Sequence, residues 1–280
     1  MAIDINKIKN RLSSLSNTNN KSNLIWKPNP GKQTVRIVSY KYVPENPFIE
    51  LKFHYNVNGK TYLSPDTFGR PDPIVEFSNK LKTTGDKEDW KMGRSIEPKL
   101  RTFVPVIVRG EEGQGVRFWG FGKQVYQELL SIIADPDYGD ITDLASGRDV
   151  TVEFKTAEEA GKNYPETSIR VKPNTTPAVD PGDKNMMEML KSQTNIMDLF
   201  PEPSYDDLKD VMDSWLNPDG ESDTVSYNSD SDDSDDSEDE VVEETDVEVE
   251  ETPVAKKTVK SSKKPKSDDV AAAFDELFNS

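Results

Sequence analysis

The chain has no cysteine and one histidine, His54. The first absence excludes disulfides, thiol nucleophiles and cysteine-ligated metal, and it suits a reducing compartment. The second leaves no multi-histidine metal site. No apolar run approaches the roughly 20 residues that span a bilayer, and the opening Met1-Ala-Ile-Asp-Ile-Asn6 lacks a signal-peptide apolar stretch. The chain is therefore read as soluble and intracellular. Positive charge is missing from one long stretch: Asp219–Glu251 holds 17 acidic residues and no Lys or Arg.

That gap makes the net charge of −17 misleading. Residues 1–179 carry 26 Lys/Arg against 22 Asp/Glu, whereas residues 180–280 carry 9 against 30. A mildly basic body is joined to a polyanion. Such a block stays solvated, and beside a basic surface it imitates a phosphate backbone.

The pattern along the chain predicts a mainly β protein with a few helices. Residues 1–23 are a polar, flexible arm with a short helix over Ile3–Leu15 and Lys7, Lys9 and Arg11 around its apolar positions. Residues 24–172 hold the β-rich body. Thr34–Tyr40 reads as a strand. Ile49–Val57 and Lys60–Leu63 flank Asn58-Gly59 as a hairpin. Ser64–Pro73 is turn-rich and Ile74–Lys82 reads as a short helix. A second hairpin joins Lys99–Arg109 to Val116–Phe121, an amphipathic helix covers Lys123–Ala134, and Asp149–Phe154 and Thr167–Val171 close the body. Short antiparallel strands around one main helix are the pattern of a small barrel such as an OB-fold. Residues 173–216 comprise a linker and helices over Lys184–Leu199 and Ser204–Leu216, the latter with Ser204 as N-cap. Residues 217–280 form a disordered acidic tail, interrupted by a basic patch at Lys256–Lys266. Its last apolar stripe, Val270, Phe274, Leu277 and Phe278, is too short to be a stable helix alone and is expected to fold on a partner.

The second hairpin carries the densest chemistry. Its odd positions offer Lys99, Arg101, Phe103 and Arg109 to one face, and Arg117, Trp119 and Phe121 share a face of the partner strand. Whether the two faces merge depends on the strand register. If they do, cations track phosphates while rings stack on bases. The competing reading is an amphipathic hairpin with a solvated basic face and its aromatics in the core. Gly113-Gln-Gly115 and Gly120-Phe-Gly122 lack a complete nucleotide-binding pattern, and the carboxylates lie mostly in the tail, so no catalytic centre is expected.

Lys99-Leu-Arg-Thr-Phe-Val-Pro-Val-Ile-Val-Arg109, the glycine turn and Val116-Arg-Phe-Trp-Gly-Phe-Gly-Lys-Gln-Val-Tyr126 resemble the helix-destabilising single-stranded DNA-binding proteins of T-even-type bacteriophages. So do Thr34–Val38 with Arg36, His54 with Asn58-Gly59-Lys60, Asp149–Val152 and Arg170–Lys172. The likeness covers about residues 25–172. It implies an OB-fold core, a basic arm for cooperative self-association (here Lys7, Lys9 and Arg11), and an acidic C-terminal region that gates DNA access and recruits replication proteins. It also implies a zinc site of one histidine and three cysteines. His54 matches the histidine, but Thr67 and Pro71–Ile74 stand where cysteines are expected, so zinc is predicted to be lost and no cofactor is expected.

The chain is thus expected to be a non-enzymatic protein that cooperatively coats and protects single-stranded DNA in the cytoplasm of an infected bacterial host. The expected DNA-contacting residues are Arg36, Lys41, Trp90, Lys99, Arg101, Phe103, Arg109, Arg117, Trp119, Phe121 and Lys123. Its expected partners are itself and the phage polymerase, helicase loader and recombinase, reached through the terminal stripe; no membrane is involved. The contrasting reading is an acidic-tailed chaperone or DNA mimic that binds basic proteins.

Overall fold

The structure, a computed structural model, describes residues 23–216 together with Phe274 and Leu277. The N-terminal arm, the acidic run and the basic patch lie outside the described residues. The elements are strands β1 (Ile25–Trp26), β2 (Gly31–Ile37), β3 (Ile49–Val57), β4 (Lys60–Leu63), β5 (Lys99–Val108), β6 (Arg117–Phe121), β7 (Arg148–Lys155) and β8 (Glu166–Thr175). The helices are α1 (Pro73–Thr83), α2 (Lys87–Ile96), α3 (Lys123–Ala134), α4 (Ala157–Ala160), α5 (Lys184–Lys191) and α6 (Tyr205–Leu216).

One sheet runs β1-β6-β5-β2-β7-β8, with the β3–β4 hairpin joined to β5. All pairings are antiparallel except β1 with β6. The hairpin turns at Asn58 and Gly59, whose φ values of 52° and 70° suit the tight turn that their sequence demands. Val35, Ile37, Val104, Val106, Val150 and Val152 fill the inside of the curved sheet, closed by Val125 and Leu129 of α3. This is the expected OB-type core.

Two further apolar layers lie outside it. Tyr40, Phe53, Phe103 and Phe118 make a layer of rings on the outer face with Leu51 among them, covered by Ile196, Leu199 and Phe200. Ile74, Phe77 and Leu81 of α1 pack with Ile96, Val57 and Leu208 and Met212 of α6.

The expected helix over Lys184–Leu199 is broken. α5 stops at Lys191, and a 3₁₀ turn follows at Ile196–Asp198. The break is enforced by side chains that bond locally or across the fold rather than continuing the helix. Asn195 caps the turn by accepting from Met197 N, and the Gln193 amide donates to the Ser39 carbonyl and accepts from Lys41 N. Helix α2 is an addition to the expected elements. It is anchored by Asp86, whose carboxylate accepts from the amides of Glu88 and Asp89.

α1 and α2 meet at Gly93, where a Cβ would lie 2.8 Å from the Ser78 carbonyl oxygen. The Ser78 hydroxyl donates to the Gly93 carbonyl across the same contact at 2.8 Å. Gly93→Ala must push the helices apart, and it is expected to cost about 1–3 kcal/mol. Urea unfolding measures this as a lower midpoint at an unchanged slope.

Candidate nucleic-acid interface

The register of β5 against β6 decides what the second hairpin presents. Val104 lies opposite Trp119, Thr102 opposite Phe121 and Val106 opposite Arg117. The odd residues of β6 therefore share a face with the even residues of β5, and that face is the barrel interior. The two odd faces do not merge. Trp119 is 1% exposed, with its ring edge-on to Trp26 at 5.8 Å and to Phe121 at 4.7 Å. Trp119 and Phe121 cannot offer a ring face to a base. Phe103 does lie on the outer face, but it is buried under Phe200, ring to ring at 5.2 Å.

Three of the expected cations are tied into the fold. Arg36 is 0% exposed. Its Nε donates to Asp149 Oδ1 at 3.0 Å, and Nη2 donates to the Thr176 carbonyl at 2.5 Å. Burial pulls the Arg36 guanidinium below its ordinary value, against the opposing pull of Asp149. Arg109 donates to the same carboxylate (Nη2 to Oδ1, 2.9 Å) and to the carbonyls of Pro177 and Ala178. Arg117 pairs with Glu111 at 2.7 Å. A buried guanidinium needs a counter-charge, and these have theirs within the chain.

Other members of the expected set face solvent. Lys41, Trp90, Lys99 and Lys123 are exposed, and Arg101 is half-buried with Nη2 donating to the Gly120 carbonyl at 3.1 Å. The structure adds Arg94, Phe68, Arg70 and Tyr42, which the pattern did not single out. Trp90, 44% exposed on α2, lies under Arg94 at 6.0 Å. Phe68 lies under Arg70 at 5.1 Å, and Tyr42, 48% exposed, has Lys41 over its ring at 5.5 Å. A cation over an exposed ring supplies both a phosphate contact and a stacking face. Adjacency in Lys41-Tyr42, Phe68-Gly-Arg70 and the i, i+4 spacing of Trp90 and Arg94 were the available signals. The 3₁₀ turn Pro65–Phe68 and α2 both pack on β3, and β5 pairs with β3 at Lys99–Phe103. Two of the exposed pairs and the Lys99/Arg101 end of β5 thus flank one strand.

Residues 29–215 match the family described as gp32 DNA binding protein like. The chain belongs to that family. No match arises among curated proteins. Membership makes this a single-stranded DNA-binding chain of a generally non-enzymatic family. Among the described residues no helix is long and apolar enough to cross a membrane.

At the position of the implied zinc site, the residues do not fit a tetrahedral ion. His54 is buried, with Nδ1 2.8 Å from the Ile96 carbonyl oxygen and Nε2 2.9 Å from Asp72 Oδ2. Ser64 Oγ donates to the same carboxylate oxygen at 2.5 Å, and Asp72 Oδ1 accepts from the amides of Ile74 and Val75 as N-cap of α1. Thr67 Oγ1 accepts from Lys52 N at 2.9 Å. Among the described residues no group of three or more His, Cys, Asp or Glu side chains is placed to hold a metal. This clasp joins β3 to both helices by hydrogen bonds, as a metal ion would by coordination.

Burial alone pushes the Asp72 carboxyl upward, but the hydrogen bond and charge of His54, the Ser64 hydroxyl and the Val75 amide outweigh it and hold it below the usual range. A depressed carboxyl stabilises the fold above its unfolded value, and that stability is lost as pH falls through the folded value. Asp72→Asn keeps a competent cap while deleting the charge. It should cost about 3 kcal/mol at neutral pH, and the gap to wild type should close as pH drops below the ordinary carboxylate range, read by thermal melts. Trp119→Ala is expected to cost about 3–5 kcal/mol of stability as a core truncation.

Proposed function

We propose that this protein coats unwound DNA cooperatively and removes secondary structure passively. It binds single strands in preference to duplex and shifts the melting equilibrium by mass action, without nucleotide. The observation that carries this is the set of exposed cation–ring pairs at Arg70/Phe68 and Arg94/Trp90 flanking β3, beside Lys99 and Arg101. In this reading Trp90 and Phe68 stack on bases while Lys99, Arg101, Lys41 and Lys123 track phosphates. Lys7, Lys9 and Arg11 of the arm contact the neighbouring subunit along the strand. The acidic run of 17 carboxylates competes for the cationic surface as a lid. The setting is the cytoplasm of an infected bacterium, where the C-terminal region recruits the polymerase, helicase loader and recombinase for replication, recombination and repair. The fold is held without metal, the His54–Asp72 clasp standing in for it.

Titration with oligo-dT at several salt concentrations tests the surface. Trp90→Ala should weaken binding by about 1–3 kcal/mol, and Lys99→Gln should flatten the log–log salt slope by about 0.7. Unchanged affinity and slope in both variants, with the fold intact, would place the DNA elsewhere. No affinity for oligo-dT, together with tight binding of basic proteins, would favour the acidic-chaperone reading instead.

A further inference from the structure

We propose that the apolar surface shared by α1, α6 and the end of β3 is a peptide-binding seat whose ligand is this chain's own C-terminal segment, held in cis. Phe274 is 2% exposed, and its ring stands edge-on to Phe77 of α1 at 5.9 Å and 81°. Leu277, helical like Phe274 and three residues on, packs on the same cluster. The seat is built from Ile74, Phe77 and Leu81, from Leu208 and Met212, and from Val57. An aromatic at i and a leucine at i+3 laid on an apolar surface is the helix-in-groove mode of peptide recognition. Residues 268–280 carry Asp268, Asp269, Asp275 and Glu276 and no Lys or Arg. The elements around the seat carry carboxylates (Glu76, Asp206, Asp207, Asp210 and Asp213) as well as lysines, so apolar packing rather than charge sets the ligand class, an amphipathic helix with Phe-x-x-Leu anchors.

The tether favours this occupant. Residues 217–273 start at Leu216, which itself packs beside the seat, and return to it at Phe274. A segment tied to the rim of its own site is present at high effective concentration. A protein that takes the terminal Phe-x-x-Leu must first draw it off the body. The seat therefore sets a threshold for partner recruitment. This inference rests on packing and does not depend on where DNA binds.

The test uses the full chain and a fluorescein-labelled peptide of residues 266–280. Full-length protein carrying Phe274→Ala and Leu277→Ala has an empty seat and should bind the peptide, in fluorescence anisotropy, roughly tenfold or more tighter than wild type, whose seat is filled. The same peptide with both alanines should not bind. Because the substitutions lie in the terminal segment, the body keeps its fold. Equal binding to wild type and variant, or no binding to the variant, overturns the proposal. Sedimentation decides between cis and exchange with a second copy: a concentration-dependent dimer of wild type that is lost in the variant would overturn the cis assignment.

Discussion

Strand β5 is hydrogen-bonded along both edges, and the rest of the molecule is arranged around that constraint. It pairs with β3 over Lys99–Phe103, with β6 over Thr102–Val106 and with β2 over Val106–Val108. With three partners its register has no freedom. A slip of one residue against β6 would carry Trp119 out of the interior and Phe118 into it. The seating of Trp119 against Trp26 and Phe121 therefore stabilises the barrel and keeps these rings inside it.

The same economy governs charge. The body is basic, but Arg36, Arg109 and Arg117 take their counter-charge from within the fold. Asp149 alone engages Arg36 and Arg109, and through their bonds to Thr176, Pro177 and Ala178 it fixes the chain leaving β8 onto the barrel. The segment beyond then crosses the outer face of β5, with Met186 and Leu190 of α5 over Ile107 and Ile196 and Phe200 over the ring layer. In the proposed reading, phosphates meet the periphery of β3, the start of β5 and the Lys41–Tyr42 loop. Ion pairs there, such as Arg70 with Glu202 and Arg94 with Glu97, are exposed, are worth little, and yield readily to a phosphate.

Local chemistry made much of the fold legible. The hairpin at Asn58-Gly59, the helix Lys123–Ala134 and the N-cap role of Ser204, whose Oγ accepts from Asp207 N, could be read from turn, periodicity and capping rules. Helix α2 was not read because its apolar positions are few and Gly93 interrupts them, although Asp86 followed by Glu88 and Asp89 is a helix-start signal. The proposed DNA surface was legible only as a composition. Alternation in Lys99–Arg109 correctly separates two faces, but periodicity gives no register between strands. The outer face therefore could not be seen to be covered by residues nearly one hundred positions away. His54 was legible as a family mark, whereas its partner Asp72 was hidden in a turn-rich stretch as a helix cap.

In the proposed reading, segregated charge and a terminal apolar stripe make the C-terminal region an internal competitor at two places, the cationic periphery and the α1–α6 seat. The account stands or falls on which rings meet the bases. Photocrosslinking of the full chain to an oligonucleotide bearing 5-iododeoxyuridine, followed by mass spectrometry of the adducts, reads this directly. The account predicts adducts at Trp90, Phe68 or Tyr42 and none at Trp119 or Phe121. Adducts at Trp119 or Phe121, with the exposed rings unmodified, would contradict it.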